Sequence, residues 1–227
     1  MRNLLIFLFC ILSFSAYAQV LDRPNVGISS HESIELEKIE YSGGRTMLYL
    51  TVENKRLGGR FCINEDTYLK NSLGEGEYRL IESANIPVCP ETYRFRSIGE
   101  TRSFVLHFPQ VDDSIRYLDL VENCEDDCLT MKYICLDEEI NRRINEGLDL
   151  YAAGQPDQAL AHFEGIMADR NDNYSPVFGT LYMYLIMVSY DMGSSEDLKQ
   201  WYNALRSSSV INRDEIIEVL KEEDLVR

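Results

Sequence analysis

The chain has 227 residues, of which 45% are hydrophobic, so it is long enough for one or two domains with buried cores. It carries 22 basic and 38 acidic residues, which gives a formal net charge of −16 at pH 7. This acidic excess argues against binding to nucleic acid or to an anionic membrane surface, and it favours a solvated surface that keeps the protein soluble.

Residues 1–18 have the pattern of an export signal. Arg2 precedes a run of apolar residues, and residues 16–18 supply the Ala-Tyr-Ala motif of a signal-peptide cleavage site. The run is too short to span a bilayer comfortably, and Cys10 lies inside it, whereas a lipid-modified cysteine would end it. We therefore expect cleavage before Gln19, a periplasmic or secreted location, and no membrane span in the mature chain.

Residues 19–136 have the strand-like runs and turn residues of a β domain. The run from Ile34 to Tyr41 alternates apolar and charged residues, and a Ser-Gly-Gly turn separates it from a second strand-like run that begins at Thr46. Many short strands with frequent turns and no helical pattern between them predict an antiparallel sandwich or barrel. Further predicted strands occupy residues 60–64, 67–70, 78–82, 92–96, 102–108, 115–121 and 129–136.

Five cysteines remain after the predicted cleavage, and all of them lie in the β region. In an oxidising compartment such cysteines form disulfides. Cys124 and Cys128 are the favoured local pair because they flank three acidic residues between two strand-like runs. Cys62 with Cys89 is the second pair that we expect. This leaves Cys135 over, and the sequence keeps other connectivities open.

The sequence contains no pattern typical of a redox, metal or catalytic site. The spacing of Cys124 and Cys128 differs from the C-x-x-C of thiol oxidoreductases, and the acidic residues between them disfavour a thiolate. The three histidines are scattered singly, and no nucleophile elbow or phosphate loop is present. We therefore predict a non-enzymatic protein without a cofactor, in which acidic turn residues act as caps because no calcium-loop motif occurs. The acidic residues concerned are Asp66, Glu122, Asp126 and Asp127.

Four short motifs of the β region are typical of strands and their turns. They are D-T-Y-L-K at residues 66–70, Y-R-L-I-E-S-A-N-I-P at 78–87, F-V-L-H-F-P at 104–109 and L-D-L-V-E at 118–122. With them the region resembles the small β-sandwich modules of exported proteins from Bacteroidota-type bacteria. This resemblance implies a fold and an exported location, but no reaction.

Residues 137–227 have the pattern of paired helices. Gly154 suits the position just after a helix, where positive φ is common, and Pro156 suits the first turn of the next helix. The apolar residues that follow recur at helical spacing. The sequence Y-A-A-G at 151–154 is echoed by Y-D-M-G at 190–193, so the helical hairpin is repeated.

Small and large residues of the first hairpin fall at the spacing of a known helical repeat. The matching positions are Gly147, Leu150, Tyr151, Gly154, Ala159 and Phe163. Residues 140–206 therefore resemble tetratricopeptide repeats, although Ile186 and Leu198 stand where the second unit would carry small residues. The resemblance implies a stack of helical hairpins that recognises a protein partner on the concave face formed by the first helix of each pair.

The concave face implied by this resemblance is unusually apolar. An exposed apolar groove would bind a peptide or another protein. The alternative is that the groove is filled within the chain, by the last helix or by the β region. The junction at residues 136–139 has no Pro, Gly or Ser linker, so we expect the two regions to pack directly. The predicted partner-binding residues are Leu148, Tyr151, Thr180, Met183, Met187 and Tyr190, with Asn141 and Ile144 on the same face.

Together these patterns predict an α+β protein with an antiparallel β-sandwich followed by a stack of helical hairpins like tetratricopeptide repeats, capped by a C-terminal helix. The expected function is that of an envelope or secreted scaffold that docks a protein partner through its helices. The alternative is a carbohydrate- or small-ligand-binding accessory protein that uses aromatic residues of the β region. The aromatic candidates are Tyr68, Tyr93 and Phe95.

Overall fold

The computed structural model describes residues 19–125, 127–169 and 174–226, and the structural statements below refer to these ranges. The predicted export signal and Asp126 lie outside them. The described chain is α+β, with three antiparallel sheets followed by five helices. The predicted α+β class and the order of strands before helices are therefore confirmed. Within these ranges, no helix combines the length and the apolar composition that a membrane crossing requires.

Twelve strands lie in the described N-terminal part of the chain. They are β1 (Gln19–Asp22), β2 (Ile28–Ser29), β3 (Ile34–Ser42), β4 (Arg45–Glu53), β5 (Arg60–Phe61), β6 (Tyr68–Asn71), β7 (Glu77–Arg79), β8 (Glu82–Ala84), β9 (Tyr93–Arg94), β10 (Thr101–Pro109), β11 (Tyr117–Val121) and β12 (Thr130–Cys135). Two five-stranded sheets have the orders β1-β3-β4-β10-β8 and β2-β12-β11-β6-β7, and β5 pairs with β9 in a third, two-stranded sheet. Buried side chains of both large sheets belong to one hydrophobic core, which includes Leu48 and Leu118.

The predicted hairpin is formed by β3 and β4. Gly43 and Gly44 form its turn with φ of +60° and +73°, a conformation that glycine adopts without strain. The apolar alternation of β3 slips between Leu36 and Ile39, and the structure has a register shift between Leu36 and Lys38. The slip in the sequence is therefore a β-bulge, which restores the inward direction of the later apolar side chains.

The single strand predicted at residues 78–82 is two strands in the structure. β7 belongs to one large sheet and β8 to the other. Between them, the backbone N–H of Leu80 donates to the carbonyl of Thr67, and that of Ile81 donates to the carbonyl of His107. The chain crosses from one sheet to the other at this point, so one run of strand-forming residues serves both sheets.

Five helices complete the described chain, and each contacts the next. In the first pair, the ring of Phe163 lies where a β-carbon at Gly147 would be, so a residue without a side chain is needed there. Gly154 and Gly193 have positive φ in the turns after the first and third helices. The helices are α1 (Glu138–Ala152), α2 (Pro156–Asp169), α3 (Pro176–Asp191), α4 (Ser195–Ser207) and α5 (Arg213–Glu222).

The β region and the helices pack directly against each other. β12 ends at Cys135 and α1 begins at Glu138, with Asp137 accepting a hydrogen bond from the backbone N–H of Ile140 as the helix cap. Tyr117 and Cys135 of the β region belong to the core of the helices. This packing agrees with the absence of a flexible linker in the sequence.

Candidate functional site

The predicted partner-binding face follows α1 and α3, and a segment of the β region crosses its middle. Residues 23–27 lie between β1 and β2. The backbone N–H of Asn25 donates to Asn141 Oδ1 over 3.0 Å, and the hydroxyl of Tyr184 donates to Asn25 Oδ1 over 3.2 Å. Asn145 Nδ2 donates to the carbonyl of Arg23 over 2.9 Å. We call residues 23–27 the cover segment, because they occupy the centre of the face.

The cover segment makes Thr180 inaccessible to a partner. Thr180 is only 2% exposed. A β-carbon at Gly27 would lie 3.3 Å from Thr180 Oγ1 and 3.0 Å from the β-carbon of Tyr133, so glycine is the residue that lets the two regions approach this closely. Of the two alternatives that the sequence left open, the contact with Gly27 at Thr180 favours a groove that is filled by the β region at this position.

The face remains accessible beyond the cover segment, near the ends of α1 and α3. Met187 is 36% exposed and Tyr190 is 49% exposed. Leu148 and Tyr151 of α1 are half-buried, and the Tyr151 hydroxyl donates to Asp191 Oδ2. This bond with an anionic acceptor raises the pKa of Tyr151. We call Leu148, Tyr151, Met187 and Tyr190 the open end of the groove. The sixth predicted residue, Met183, is half-buried against the core that includes Ile186 and Leu205.

A paired arginine fixes the border between the cover segment and the open end. Arg23 Nη1 donates to Asp149 Oδ2 over 3.0 Å, and Arg23 Nη2 donates to Asp149 Oδ1 over 2.7 Å. The bonds lower the pKa of Asp149, and their two-pronged geometry is the most directional that a carboxylate can make. Asn145, Leu148 and Tyr184 line a cleft of about 400 Å³ beside this border, between the β region and the helices.

A second concave feature lies at one end of the β region. It is a cleft of about 460 Å³ beside the disulfide between Cys62 and Cys89. Its floor includes Phe61, and its polar lining combines basic, acidic and amide groups. Those polar residues include Asn54, Arg56, Arg60, Glu122 and Asp127.

The cysteine pairs are those that the sequence favours. Cys62 is bonded to Cys89 with a Cα–Cα distance of 5.3 Å, and Cys124 is bonded to Cys128 with a Cα–Cα distance of 5.7 Å. Cys135 takes part in neither bond and is buried. The disulfides and the lack of a membrane-spanning helix in the described chain are compatible with an exported protein that matures in an oxidising compartment.

The three aromatic candidates for ligand binding do not form a shared platform. Phe95 is buried in the core of the sheets. The ring of Tyr93 has Arg102 over it at 4.8 Å, and its hydroxyl donates to Glu100 over 2.8 Å. Tyr68 lies on β6, in a different sheet from Tyr93. The three rings therefore do not converge on one surface of the described chain.

The acidic residues of the β region also have structural partners. Glu122 accepts hydrogen bonds from the backbone N–H groups of Asn64 over 2.8 Å and Leu129 over 2.9 Å. Asp66 lies 3.6 Å from Arg79. Among the residues that the structure describes, no three His, Cys, Asp or Glu side chains converge as a metal site would require.

The cover segment is the feature that sequence reasoning missed. Its signal was the pair Asn141 and Asn145, two amides one helical turn apart on a face that is otherwise apolar. Buried amides need hydrogen-bond partners, so this pair could have indicated a polar chain segment against α1. Comparison of the chain with protein-family models, curated proteins and solved structures gives no match.

Proposed function

We propose that this chain is an exported, non-enzymatic protein-binding protein that holds an apolar segment of an envelope or secreted partner at the open end of its groove. The helices are proposed to be a stack like tetratricopeptide repeats, with α5 as its cap. The Gly147–Phe163 contact and the glycine turns at Gly154 and Gly193 support this. The two large sheets are proposed to form a sandwich, which their common core supports.

The observation that carries the proposal is the exposure of Met187 and Tyr190 beside a covered part of the same face. Both are large side chains with apolar surface still in contact with water, and burying the remaining surface of one of them contributes roughly 1 kcal/mol. Tyr151 adds a half-buried ring that is already oriented by Asp191. Aromatic side chains with a fixed orientation are typical of the residues that dominate protein–protein binding.

The cover segment itself indicates the kind of ligand that the face accepts. It is a non-helical stretch of chain, and it is held by side-chain amides and a tyrosine hydroxyl of α1 and α3. A partner segment that continues along the same face would contact the four residues of the open end. We therefore expect a polypeptide ligand with two or three apolar side chains at the spacing of the open end.

Site-specific photocrosslinking in cells that export the chain tests this proposal. A photoreactive residue at Met187 or Tyr190 is expected to capture the same protein recurrently, while one at Leu73, a half-exposed aliphatic residue of the β6–β7 loop, is not. The captured protein, once purified, is then titrated against the variants. Met187→Lys with Tyr190→Lys should weaken its binding by about tenfold or more, whereas Leu73→Lys should not. Equal affinity in a folded double variant would refute docking at the open end.

The runner-up function is small-ligand binding in the cleft beside Cys62 and Cys89. The observation in its favour is the cleft's combination of an aromatic floor at Phe61 with planar polar groups at Asn54 and Arg56. A glycan array probed with the mature chain tests it. A specific signal that disappears in Arg56→Ala would support ligand binding in the cleft. An array without any signal would refute carbohydrate binding.

A further inference from the structure

Two loops at one end of the β region each present a large aliphatic side chain to solvent. Leu57, in the loop between β4 and β5, is 85% exposed. Ile98, in the loop between β9 and β10, is 56% exposed. We call residues 54–59 and 95–99 together the tip. Nothing in the fold of the β region requires either side chain to be aliphatic, because neither contributes to its core.

The two loops are bonded to each other and form one unit. The backbone N–H of Gly99 donates to the carbonyl of Asn54 over 2.8 Å, and Asn54 Nδ2 donates to the carbonyl of Ser97 over 2.6 Å. At the other end of the contact, the N–H of Phe95 donates to the carbonyl of Gly59 over 3.0 Å. Asn54 is buried, and a β-carbon at Gly59 would overlap its side-chain oxygen. The tip is therefore ordered before it meets any partner.

The tip is convex. Gly58 and Gly99 turn the two loops with φ of +66° and +79°, and no other part of the described chain comes within 4 Å of the place where their β-carbons would lie. Leu57 and Ile98 thus stand out from the surface and line no groove of their own. A folded protein would need a matching pocket to receive them, whereas the deformable interface of a bilayer accepts projecting apolar side chains without one.

The charge of the tip is opposite to that of the whole chain. Residues 54–61 and 93–99, which are the tip together with the adjoining strands β5 and β9, contain five basic and no acidic side chains, although the chain as a whole carries 38 acidic and 22 basic residues. Arg60 and Arg94 lie directly opposite each other in the β5–β9 pair, a placement that like charges disfavour. In the described chain, Lys55 is the only one of the five that has a carboxylate within 4.0 Å. The five are Lys55, Arg56, Arg60, Arg94 and Arg96.

The nearest acidic groups reduce this excess but do not cancel it, since four carboxylates stand against five basic groups. Glu53 pairs with Lys55 at 2.7 Å. Glu100 accepts hydrogen bonds from the Tyr93 hydroxyl and from the backbone N–H of Arg96, which lower the pKa of its carboxyl group. Glu122 and Asp127 line the cleft behind the loops together with Arg56 and Arg60. More distant carboxylates act weakly here, because physiological salt screens exposed charges beyond about 8 Å.

We propose that the tip binds the surface of an anionic lipid bilayer. Leu57 and Ile98 enter the boundary between headgroups and acyl chains, and the surrounding guanidinium groups contact lipid phosphates. Apolar side chains combined with a local cluster of Lys and Arg are what interfacial binding to anionic membranes requires. The net charge of the chain predicts no such binding, and the proposal depends instead on how the charges are distributed. It is independent of the groove on the helices.

Vesicle sedimentation with the mature chain, residues 19–227, tests the proposal. The chain is expected to sediment with vesicles of phosphatidylcholine and phosphatidylglycerol, to bind pure phosphatidylcholine weakly, and to lose affinity as salt is raised. Leu57→Ser with Ile98→Ser should reduce binding by about tenfold or more. The matched control is Leu73→Ser with Ile211→Ser, which removes two exposed aliphatic side chains elsewhere and should leave binding unchanged.

Insertion has a separate spectroscopic signature. The new indole of Leu57→Trp should be quenched by brominated acyl chains, and that of Leu73→Trp should not. A wild-type chain that stays in solution with phosphatidylglycerol vesicles at low salt overturns the proposal, as does binding that persists in Leu57→Ser with Ile98→Ser. Salt-sensitive binding of poly-glutamate without vesicle binding would assign the tip to an acidic protein instead and would likewise overturn it.

Discussion

The middle and the open end of the helical groove are built from the same two helices but have opposite relations to the rest of the chain. In the middle, Asn141 and Thr180 are buried under the cover segment, and their polar groups face its backbone. At the open end, Met187 and Tyr190 have no such cover and remain partly exposed. The difference shows that a repeat-like face is divided by its surroundings, since the helices alone would present one continuous stripe.

This comparison separates stability from binding. Residues of the middle stabilise the contact between the β region and the helices, so changes there should alter the free energy of unfolding. Met187 and Tyr190 of the open end are less buried, so changes there should alter binding more than stability. Each of the following variants changes either the covered middle or the open end of the groove and leaves the other part unchanged.

The largest effect is expected from Asn141→Ala. Asn141 is 1% exposed, accepts from the N–H of Asn25 and donates to the carbonyl of Cys135 over 2.8 Å, so its removal leaves two buried backbone groups without partners. We expect a loss of roughly 2–4 kcal/mol in the free energy of unfolding, measured by urea denaturation.

The matched control for this change is Asn145→Ala, one turn along α1. Asn145 is less buried, and its bond to the carbonyl of Arg23 is exposed, so water can replace the amide. Its loss should cost about 0.5–1 kcal/mol. Equal losses of unfolding free energy in the two variants would mean that water reaches the middle of the groove as easily as its border.

A smaller loss is expected from Gly27→Val. The new side chain would press against Tyr133 and Thr180, because even its β-carbon would lie only 3.0–3.3 Å from their atoms. Overpacking of this kind costs roughly 1–3 kcal/mol and should push the cover segment away from α3. Faster amide hydrogen exchange at Asn25 in Gly27→Val, with unchanged exchange in β3 and β4, would show that only the cover has loosened.

Tyr184, which contacts the cover segment, should contribute to the pH dependence of the free energy of unfolding. Burial raises its pKa from an ordinary value of 10.0 to about 12. Because the folded state holds the proton more tightly, this contribution to stability is complete below pH 10 and is lost as the pH rises through about 12. The slope is at most about 1.4 kcal/mol per pH unit for one tyrosine.

Tyr184→Phe isolates this contribution. Burial also raises the pKa of Tyr41 and Tyr133, so wild-type stability should fall above pH 10 for several reasons. Urea denaturation of both chains between about pH 9 and pH 12 should give a shallower decline in the variant. Parallel curves would mean that Tyr184 ionises as easily in the folded protein as in the unfolded chain.

A small effect on stability is expected at the open end. Met187→Ser and Tyr190→Ser each remove a side chain that is 36% or 49% exposed, so each should change the free energy of unfolding by about 1 kcal/mol, less than Asn141→Ala. A loss similar to that of Asn141→Ala would contradict the comparison, because it would place these side chains in the packed interface. Thermal denaturation of the two serine variants beside wild type is sufficient to decide this.

Local features of the fold were predictable from the sequence where neighbouring residues determine them. The β3–β4 hairpin follows from alternation and from Gly43 and Gly44, and the start of α2 follows from Gly154 and Pro156. Even the bulge in β3 was visible as a slip in the apolar pattern. These features depend on residues close in sequence, for which turn chemistry and periodicity carry the information.

The cover segment was not predictable in the same way. Its hydrogen bonds join residues 116 and 159 positions apart, and nothing in the composition of Pro24 and Asn25 indicates a position between two helices. The predicted strand at residues 78–82 failed for a related reason. Strand-forming residues identify an extended chain, but which of two sheets it joins depends on distant partners such as His107.

The long sequence distance between the cover segment and its partners also has a consequence for the order of folding. Asn25 is synthesised well before α1 and α3, which supply its hydrogen-bond partners. Contacts between residues far apart in sequence carry a large loop-closure entropy cost and therefore form late. We expect the cover segment to dock after the sheets and the helical hairpins have formed. Until then the whole groove is open, and a folding factor or a partner could occupy its full length. Pulse-labelled hydrogen exchange should find the N–H of Asn25 protected after those of β4 and α3.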